Sequence, residues 1–266
     1  MAQRNETYFK SYKQFIKRLG GLDNFIETRE LAFHVYRDII SSNVSESAHK
    51  DQCKKYGIHC DIHKVNSKHS FGLYILSVYY ALNKFFYDFI SEHPNLAPRD
   101  SNAISMLQHL VRYVPKWNDN ARRCMLYDVF HYYKGFRDDF FHPNSNISEK
   151  VLTNALNKHS GVIKNEFGLG LPNKFNEFDI HDFYLFSRIS KQIAKELCQL
   201  LPLSLDELFQ IMVTNDSIIN KAKTITSKTI QEQREILARA VRSVYSIPRE
   251  DAQTIADCLL KKLTAI

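Results

Sequence analysis

Four residues in one short run are the best placed in this chain to do chemistry: Arg137, Asp138, Asp139 and His142, in Arg137-Asp138-Asp139-Phe140-Phe141-His142. A guanidinium can hold a phosphate through two hydrogen bonds and balance the charge that grows on it in a transition state. A neutral imidazole can take the proton of a ribose 2′-hydroxyl or return one to a leaving oxygen. The pair suits phosphodiester cleavage without a metal or other cofactor. Free carboxylates beside it would repel substrate phosphate, so at least one of Asp138 and Asp139 is expected to be paired and to orient the basic groups.

Spacing bears on whether Arg137 and His142 can cooperate. Five steps along an ideal α-helix turn through about 500°, which leaves the two side chains about 140° apart. His142 precedes Pro143, and a residue before proline is pushed out of α geometry. The helix is therefore expected to end there, with His142 swinging back over the last turn towards Arg137.

The elements that must position this run are helices. Only 8 Gly and 7 Pro occur in 266 residues, which argues for long helices on short connections and against a turn-rich β protein. Leu31, Val35 and Ile39, with Ala32, Tyr36 and Ile40, recur at the spacing of a helix face. The polar stretch from Ser41 to His69 reads as a long loop. From Ser70 to Glu92, the residues Ile75, Val78, Tyr79, Leu82, Phe85, Phe86 and Phe89 form a wide apolar stripe, closed by Pro94 and Pro98. A helix capped by Asp100 or Ser101 follows, with Ile104, Leu107, Val111 and Val114 inward and a stop at Pro115. Another, capped by Asn118 or Asp119, carries Met125, Val129, Tyr132 and Phe136 into the motif. A modest helix at Ser148 to Lys158 and a loop holding Gly161, Gly168, Gly170 and Pro172 precede the amphipathic stretch Asp179 to Leu201. The expected class is all-α: a four-helix bundle over 70–202, an N-terminal helical region with a polar loop over 1–69, and a C-terminal helical appendage over 203–266. In the appendage, Ser204-x-x-Glu207 and Thr229-x-x-Glu232 fit capping boxes.

An Arg-x4-His motif at the end of a long helix, with a polar residue directly after the Arg, in an expected four-helix bundle, resembles the HEPN ribonucleases. That resemblance covers roughly residues 70–202. It implies Arg137 and His142 as the catalytic pair, with Asp138 as the supporting polar residue. It also implies metal-independent attack by the 2′-hydroxyl, leaving a 2′,3′-cyclic phosphate. The family acts in bacterial toxin–antitoxin and phage-defence systems, so an antitoxin or other regulatory protein is an implied partner. Its sites are usually composite. With one such motif on a helix of the expected bundle over 70–202, the resemblance implies a homodimer whose two copies build the site. The alternatives are a non-catalytic HEPN-like module that binds RNA or protein, and an unrelated helical interaction protein.

Other residues are candidates for RNA contacts and for metal. The formal charge is +7, and Lys and Arg gain free energy by releasing counterions from phosphates. Lys134, Tyr133 and Asn144 are the RNA-binding candidates; Tyr132, Tyr133 and Phe136 could stack on bases, although aromatics at helical spacing are more often core. Arg112, Lys116, Arg122 and Arg123 could track phosphates. His49, Cys53, His59, Cys60, His63 and His69 are potential zinc ligands, yet their spacing matches no standard site, and a solvated loop is the simpler expectation. P-loop, G-x-S-x-G and H-E-x-x-H patterns are lacking.

Five cysteines, Cys53, Cys60, Cys124, Cys198 and Cys258, form no tight framework, and the last three are expected to be buried. The N-terminus is polar, and the apolar run from Phe71 to Ile90 is interrupted by Ser77, Asn83, Lys84 and Asp88. No membrane is expected as a partner, and a reducing cytoplasm is the expected location.

Overall fold

The computed structural model describes residues 9–43, 46–57, 67–93, 95–96, 105–142, 148–245 and 247–264. Every regular element among them is helical: α1 (Lys10–Asn43), α2 (Glu46–Tyr56), α3 (Ser67–Glu92), α4 (Met106–Val111), α5 (Ala121–Phe141), α6 (Glu149–Asn157), α7 (Ser160–Phe167), α8 (Ile180–Leu200), α9 (Leu205–Val213), α10 (Asp216–Thr224), α11 (Ile230–Val244) and α12 (Arg249–Thr264), with one 3₁₀ turn at Trp117–Asp119. The all-α class is what the scarcity of Gly and Pro requires. None of the helices of the described residues is long and apolar enough to cross a membrane.

Two compact units form, one from Lys17–Ala81 and Ala121–Ser190, the other from Met1–Ile16, Leu82–Asn120 and Lys191–Ile266. Neither is contiguous in sequence, whereas the expected regions 1–69, 70–202 and 203–266 follow chain order; residues 203–266 lie wholly in the second unit.

The first unit contains the motif, and its core is aromatic. Tyr79 of α3 stacks on Phe130 of α5 with ring centroids 5.9 Å apart, and Tyr133 of α5 lies 4.4 Å from Phe186 of α8. Tyr74 of α3 meets Phe183 of α8 edge-on. α1 joins through polar links: Ser187 Oγ donates to Asp23 Oδ1 at 2.8 Å, and Tyr74 Oη donates to Glu30 Oε1 at 3.0 Å. Gly72 lets α3 approach α5, because a Cβ there would lie 3.0 Å from the Phe136 ring. Four helices therefore share this core, but they are not the four expected. Residues 106–111 make only one short helix, capped by Ser105, whose Oγ accepts from Gln108 N, and they belong to the other unit. The expected caps at Asp100 and Ser101 lie outside the described residues. α1, expected to stand outside the bundle, supplies the fourth helix.

A buried carboxylate ties the loop before α8 to this core. Asp182, with no exposure, accepts from Tyr133 Oη at 3.1 Å, Asn173 N at 3.0 Å, Asn173 Nδ2 at 2.9 Å and Asp179 N at 3.1 Å. Burial pushes its pKa up, and the hydrogen bonds from Asp179 and Asn173 work against that. Glu149, in the first turn of α6, accepts from Phe175 N at 2.8 Å and pins the same loop.

The second unit packs Phe9 and Phe15 on Phe85 and Phe89. Glu92 receives Ser11 N on both carboxylate oxygens at 3.0 Å, and so caps the start of α1. Both expected capping boxes form, at Ser204–Glu207 and Thr229–Glu232.

Several local expectations fail. The stretch from Ser41 to His69, expected as a long loop, holds the end of α1, the whole of α2 and the start of α3, and Asn118 and Asp119, expected to cap α5, lie in the 3₁₀ turn before it. Leu31 and Val35 are exposed; α1 buries Phe15, Leu19 and Ile26 instead, and the side chains of Ile39 and Ile40 lie outside the described residues. Gly161 is helical, inside α7, and only Gly168, with φ 67°, ends that helix in the left-handed conformation. Of the three cysteines expected to be buried, Cys198 is; Cys124 is only half-buried, and Cys258 is exposed on the outward side of α12.

Candidate active site at the end of helix α5

α5 carries the motif on its last turn. Met125, Val129, Tyr132, Tyr133 and Phe136 are buried and fix the rotation of the helix, which turns Lys134, Arg137 and Asp138 towards a half-open edge. Lys134 and Asp138 are one turn apart, the spacing at which helical side chains meet.

Asp138 is the electrostatic centre of the cluster. Its Oδ1 accepts from Arg137 Nη1 at 2.6 Å and its Oδ2 from Lys134 Nζ, and its side chain is 16% exposed. Burial works to raise its pKa, but the hydrogen bonds from Lys134 and Arg137 win, and the carboxyl is held below its ordinary range. The hydrogen bond that Arg137 donates to Asp138 in turn raises the pKa of Arg137. One carboxylate thus serves two cations, which leaves the trio with a net positive charge.

The Arg137 guanidinium is also clamped between rings. Its Cζ lies 5.7 Å from the ring centroids of both Tyr79 on α3 and Phe141 on α5, a geometry in which each ring face attracts the cation. Its Nε is buried without a hydrogen-bond partner among the described residues, and its side chain is 31% exposed. A planar cation fixed on its sides and open at one edge can receive a phosphate oxygen with little reorganisation.

His142 stands one residue past the helix. Its N–H donates to Asp138 O at 2.9 Å, so the backbone keeps its α-type hydrogen bond up to that residue, and its imidazole is exposed. Among the described residues, Arg137 and His142 are not joined by a hydrogen bond. The helix ends at Phe141, as expected, and His142 keeps the last i→i−4 backbone bond, so nothing among the described residues ties its exposed imidazole to Arg137. Asp139 forms no ion pair among the described residues.

The expected RNA contacts fare differently from one another. Tyr133 is wholly buried, with its hydroxyl on Asp182, so it offers no face to a base; this corrects its assignment as an RNA-binding residue. Tyr132 and Phe136 are buried too. Lys134 is 16% exposed and engaged by Asp138. Asn144 and Pro143 lie outside the described residues. Arg122 pairs with Glu166 at 2.7 Å. The aromatic surface missed by sequence reading is Tyr80, 49% exposed, with Phe141, 45% exposed, ring centroids 6.5 Å apart. Its signal was present: α3 carries aromatics on more than one face, more than a single buried stripe needs.

The His/Cys stretch is only partly described. His49 is buried, with Nδ1 2.9 Å from Tyr36 Oη and Nε2 3.5 Å from Cys53 Sγ. His59, Cys60 and His63, and the side chain of His69, lie outside the described residues. Among the described residues, no group of three His, Cys, Asp or Glu could hold a metal.

Further up α5, His131 is half-buried near Lys134 and Asp128, and its Nε2, which is buried, has no hydrogen-bond partner among the described residues. Burial, then the charge of Lys134, lower its pKa to about 4.

Compared with family models, with curated proteins and with solved structures, the chain matches none.

Proposed function

We propose that this chain is a metal-independent endoribonuclease, and that the end of α5 is its active site. The observation that carries the reading is the Arg137 guanidinium, clamped by Tyr79 and Phe141, held by Asp138 and open at one edge, with an exposed imidazole one residue past the same helix. The Arg-x4-His resemblance to HEPN ribonucleases supplies the reaction class. In that reaction the 2′-oxygen of one nucleotide attacks the adjacent phosphorus, the bond to the 5′-oxygen breaks, and a 2′,3′-cyclic phosphate and a 5′-hydroxyl result. His142 moves a proton between the 2′-hydroxyl and the leaving oxygen. Arg137 balances charge on the non-bridging oxygens. Asp138 is a positioning residue that orients Arg137.

Two copies complete the site. Tyr80 and Phe141 are exposed next to the Arg137 clamp, and Leu73 is exposed two turns earlier on α3. Apolar side chains beside a cationic site suit burial by a second copy, which brings a second His142 and a second Arg137 to one substrate. A bacterial toxin or phage-defence effector, restrained by an antitoxin or regulatory protein, is the setting that this activity fits.

The absence of a hydrogen bond between Arg137 and His142 favours a second reading, a helical module that binds RNA or protein without cutting. Incubation of the purified protein with RNA in EDTA separates the two. Cleavage by the wild type, lost in both Arg137→Ala and His142→Ala and ending in a cyclic phosphate, is the expected result. Cleavage that needs added metal sinks the mechanism, and RNA binding without cleavage leaves the module.

A further inference from the structure

A second cationic feature lies in the other unit, away from the motif in sequence. α11 and α12 form a hairpin joined by Tyr245 to Pro248, and a cleft of about 190 Å³ opens along it, lined by Glu235, Ala238, Arg239, Arg242, Arg249 and Gln253. Arg239 and Arg242 lie one turn apart on α11; Arg249 opens α12, and Gln253 follows one turn later on the same face. Ala238, small and buried, forms the floor. Three arginines from two helices therefore line one small space.

These arginines lack the neutralisation found elsewhere. Among the described residues none of the three forms an ion pair; Arg239 Nε reaches only the Glu235 carbonyl, at 3.4 Å. Glu235 is the single carboxylate of the lining, two turns up α11 from Arg242. Glu250 and Asp251, in the first turn of α12, do not line the cleft. The carbonyls that end α11, which would repel an anion, are covered by Lys13, whose Nζ donates to Arg242 O at 3.4 Å and Ser243 O at 3.3 Å. Like charges at helical spacing repel one another, and an anion in the cleft would turn that repulsion into attraction.

We propose that this cleft binds a backbone phosphate of RNA. Arginine presents the planar fork that phosphate oxygens match, and Gln253 adds a neutral donor. The cleft is smaller than the roughly 300 Å³ at which pockets begin to enclose drug-sized ligands. It suits a phosphate carried on a strand that continues outside rather than a nucleotide swallowed whole. The choice of RNA as the strand rests on the reading of this chain as RNA-acting.

The test is made on the full chain with a short, fully 2′-O-methylated RNA, which lacks the attacking hydroxyl, so binding is read without cleavage. The triple variant Arg239→Gln/Arg242→Gln/Arg249→Gln is compared with a charge-matched Lys221→Gln/Lys223→Gln/Lys228→Gln. All six side chains are exposed, so both variants should melt like the wild type. Fluorescence anisotropy across a salt series should show the arginine variant about tenfold weaker, with the log–log salt slope smaller by about 0.7 per phosphate lost. The lysine variant should lose much less. Equal losses in the two variants, or none in either, overturn the proposal. AMP or pyrophosphate that binds the wild type tightly, fails to bind the arginine variant and does not displace RNA also overturns it, and gives the cleft to a free anion. If RNA cleavage fails but the arginine-specific loss of binding holds, the cleft stands and the catalytic reading falls.

Discussion

The end of α5 and the α11–α12 hairpin hold the same kinds of cation in opposite electrostatic states. At the motif, Lys134 and Arg137 share Asp138, and the Arg137 guanidinium lies over the rings of both Tyr79 and Phe141. In the hairpin, three arginines line one cleft with no ion pair among the described residues. The difference follows from burial. A cation partly withdrawn from water needs a fixed countercharge, whereas an exposed one is solvated and remains free for a ligand. A paired arginine is held in one geometry, which the proposed catalysis would need; unpaired exposed arginines supply attraction, which the proposed strand capture would need.

This contrast can be broken at several points. The largest effect is expected from Arg137→Ala or His142→Ala, each lowering RNA cleavage by at least about 100-fold in a turnover assay. The triple arginine variant of the hairpin should raise KM and leave kcat near the wild-type value, and a fall in kcat alone would erase the distinction between the two regions.

Next comes the buried anchor under the motif. Asp182→Ala leaves Tyr133 Oη, Asn173 N and Asp179 N without their acceptor, at a cost of about 3 kcal/mol or more, measurable by urea unfolding. A variant as stable as the wild type would show that this carboxylate does not hold the motif's helix in place.

A third effect depends on pH. His131 has a folded pKa of about 4 against 6.5 for the free side chain. Between those values the unfolded chain takes up a proton that the folded chain refuses, so stability falls as pH drops through 6.5 towards 4. Between pH 7.5 and pH 5 the loss should be about 2 kcal/mol. His131→Phe should lack that component; an unchanged pH slope would contradict the burial of a neutral imidazole beside Lys134.

Asp138→Asn should cost about 1–2 kcal/mol, because Lys134 and Arg137 then repel each other across a neutral amide. The wild-type contribution is present above the ordinary carboxylate range and is lost as pH falls through the lowered pKa of Asp138. Cleavage by Asp138→Asn should drop mainly in kcat. Smallest of all, Arg239→Gln should change stability by less than about 0.5 kcal/mol, and in the stabilising direction, since it relieves like-charge repulsion with Arg242.

Much of the local structure was legible in the chain because it obeys short-range rules. The stripe from Ile75 to Phe89 on α3 is buried, as its spacing requires. Ser204 and Thr229 cap their helices because a hydroxyl and a Glu three residues later satisfy each other's backbone partners. The pairing of Lys134 with Asp138 follows from one turn of helix. What failed depended on partners far away in sequence. Leu31 and Val35 share a helix face with the right period, yet the residues of α1 that find apolar neighbours are Phe15, Leu19 and Ile26. Tyr133 looked able to stack on a base until Asp182, from a helix much later in the chain, took its hydroxyl.

The sequence by itself determined that this protein is all-α, that α5 ends where the Arg-x4-His run ends, and that Asp138 sits within reach of two cations. Helix periodicity, capping and i,i+4 pairing act over a few residues and are written in the order of the side chains. Tertiary structure alone decided that α1 supplies the fourth helix around the motif's core, that Tyr79 closes the clamp on Arg137, and that arginines from two helices meet in one cleft. Each of those outcomes depends on which surfaces meet when apolar area is withdrawn from water, and that is settled by the packing of the whole chain rather than by any one stretch of it.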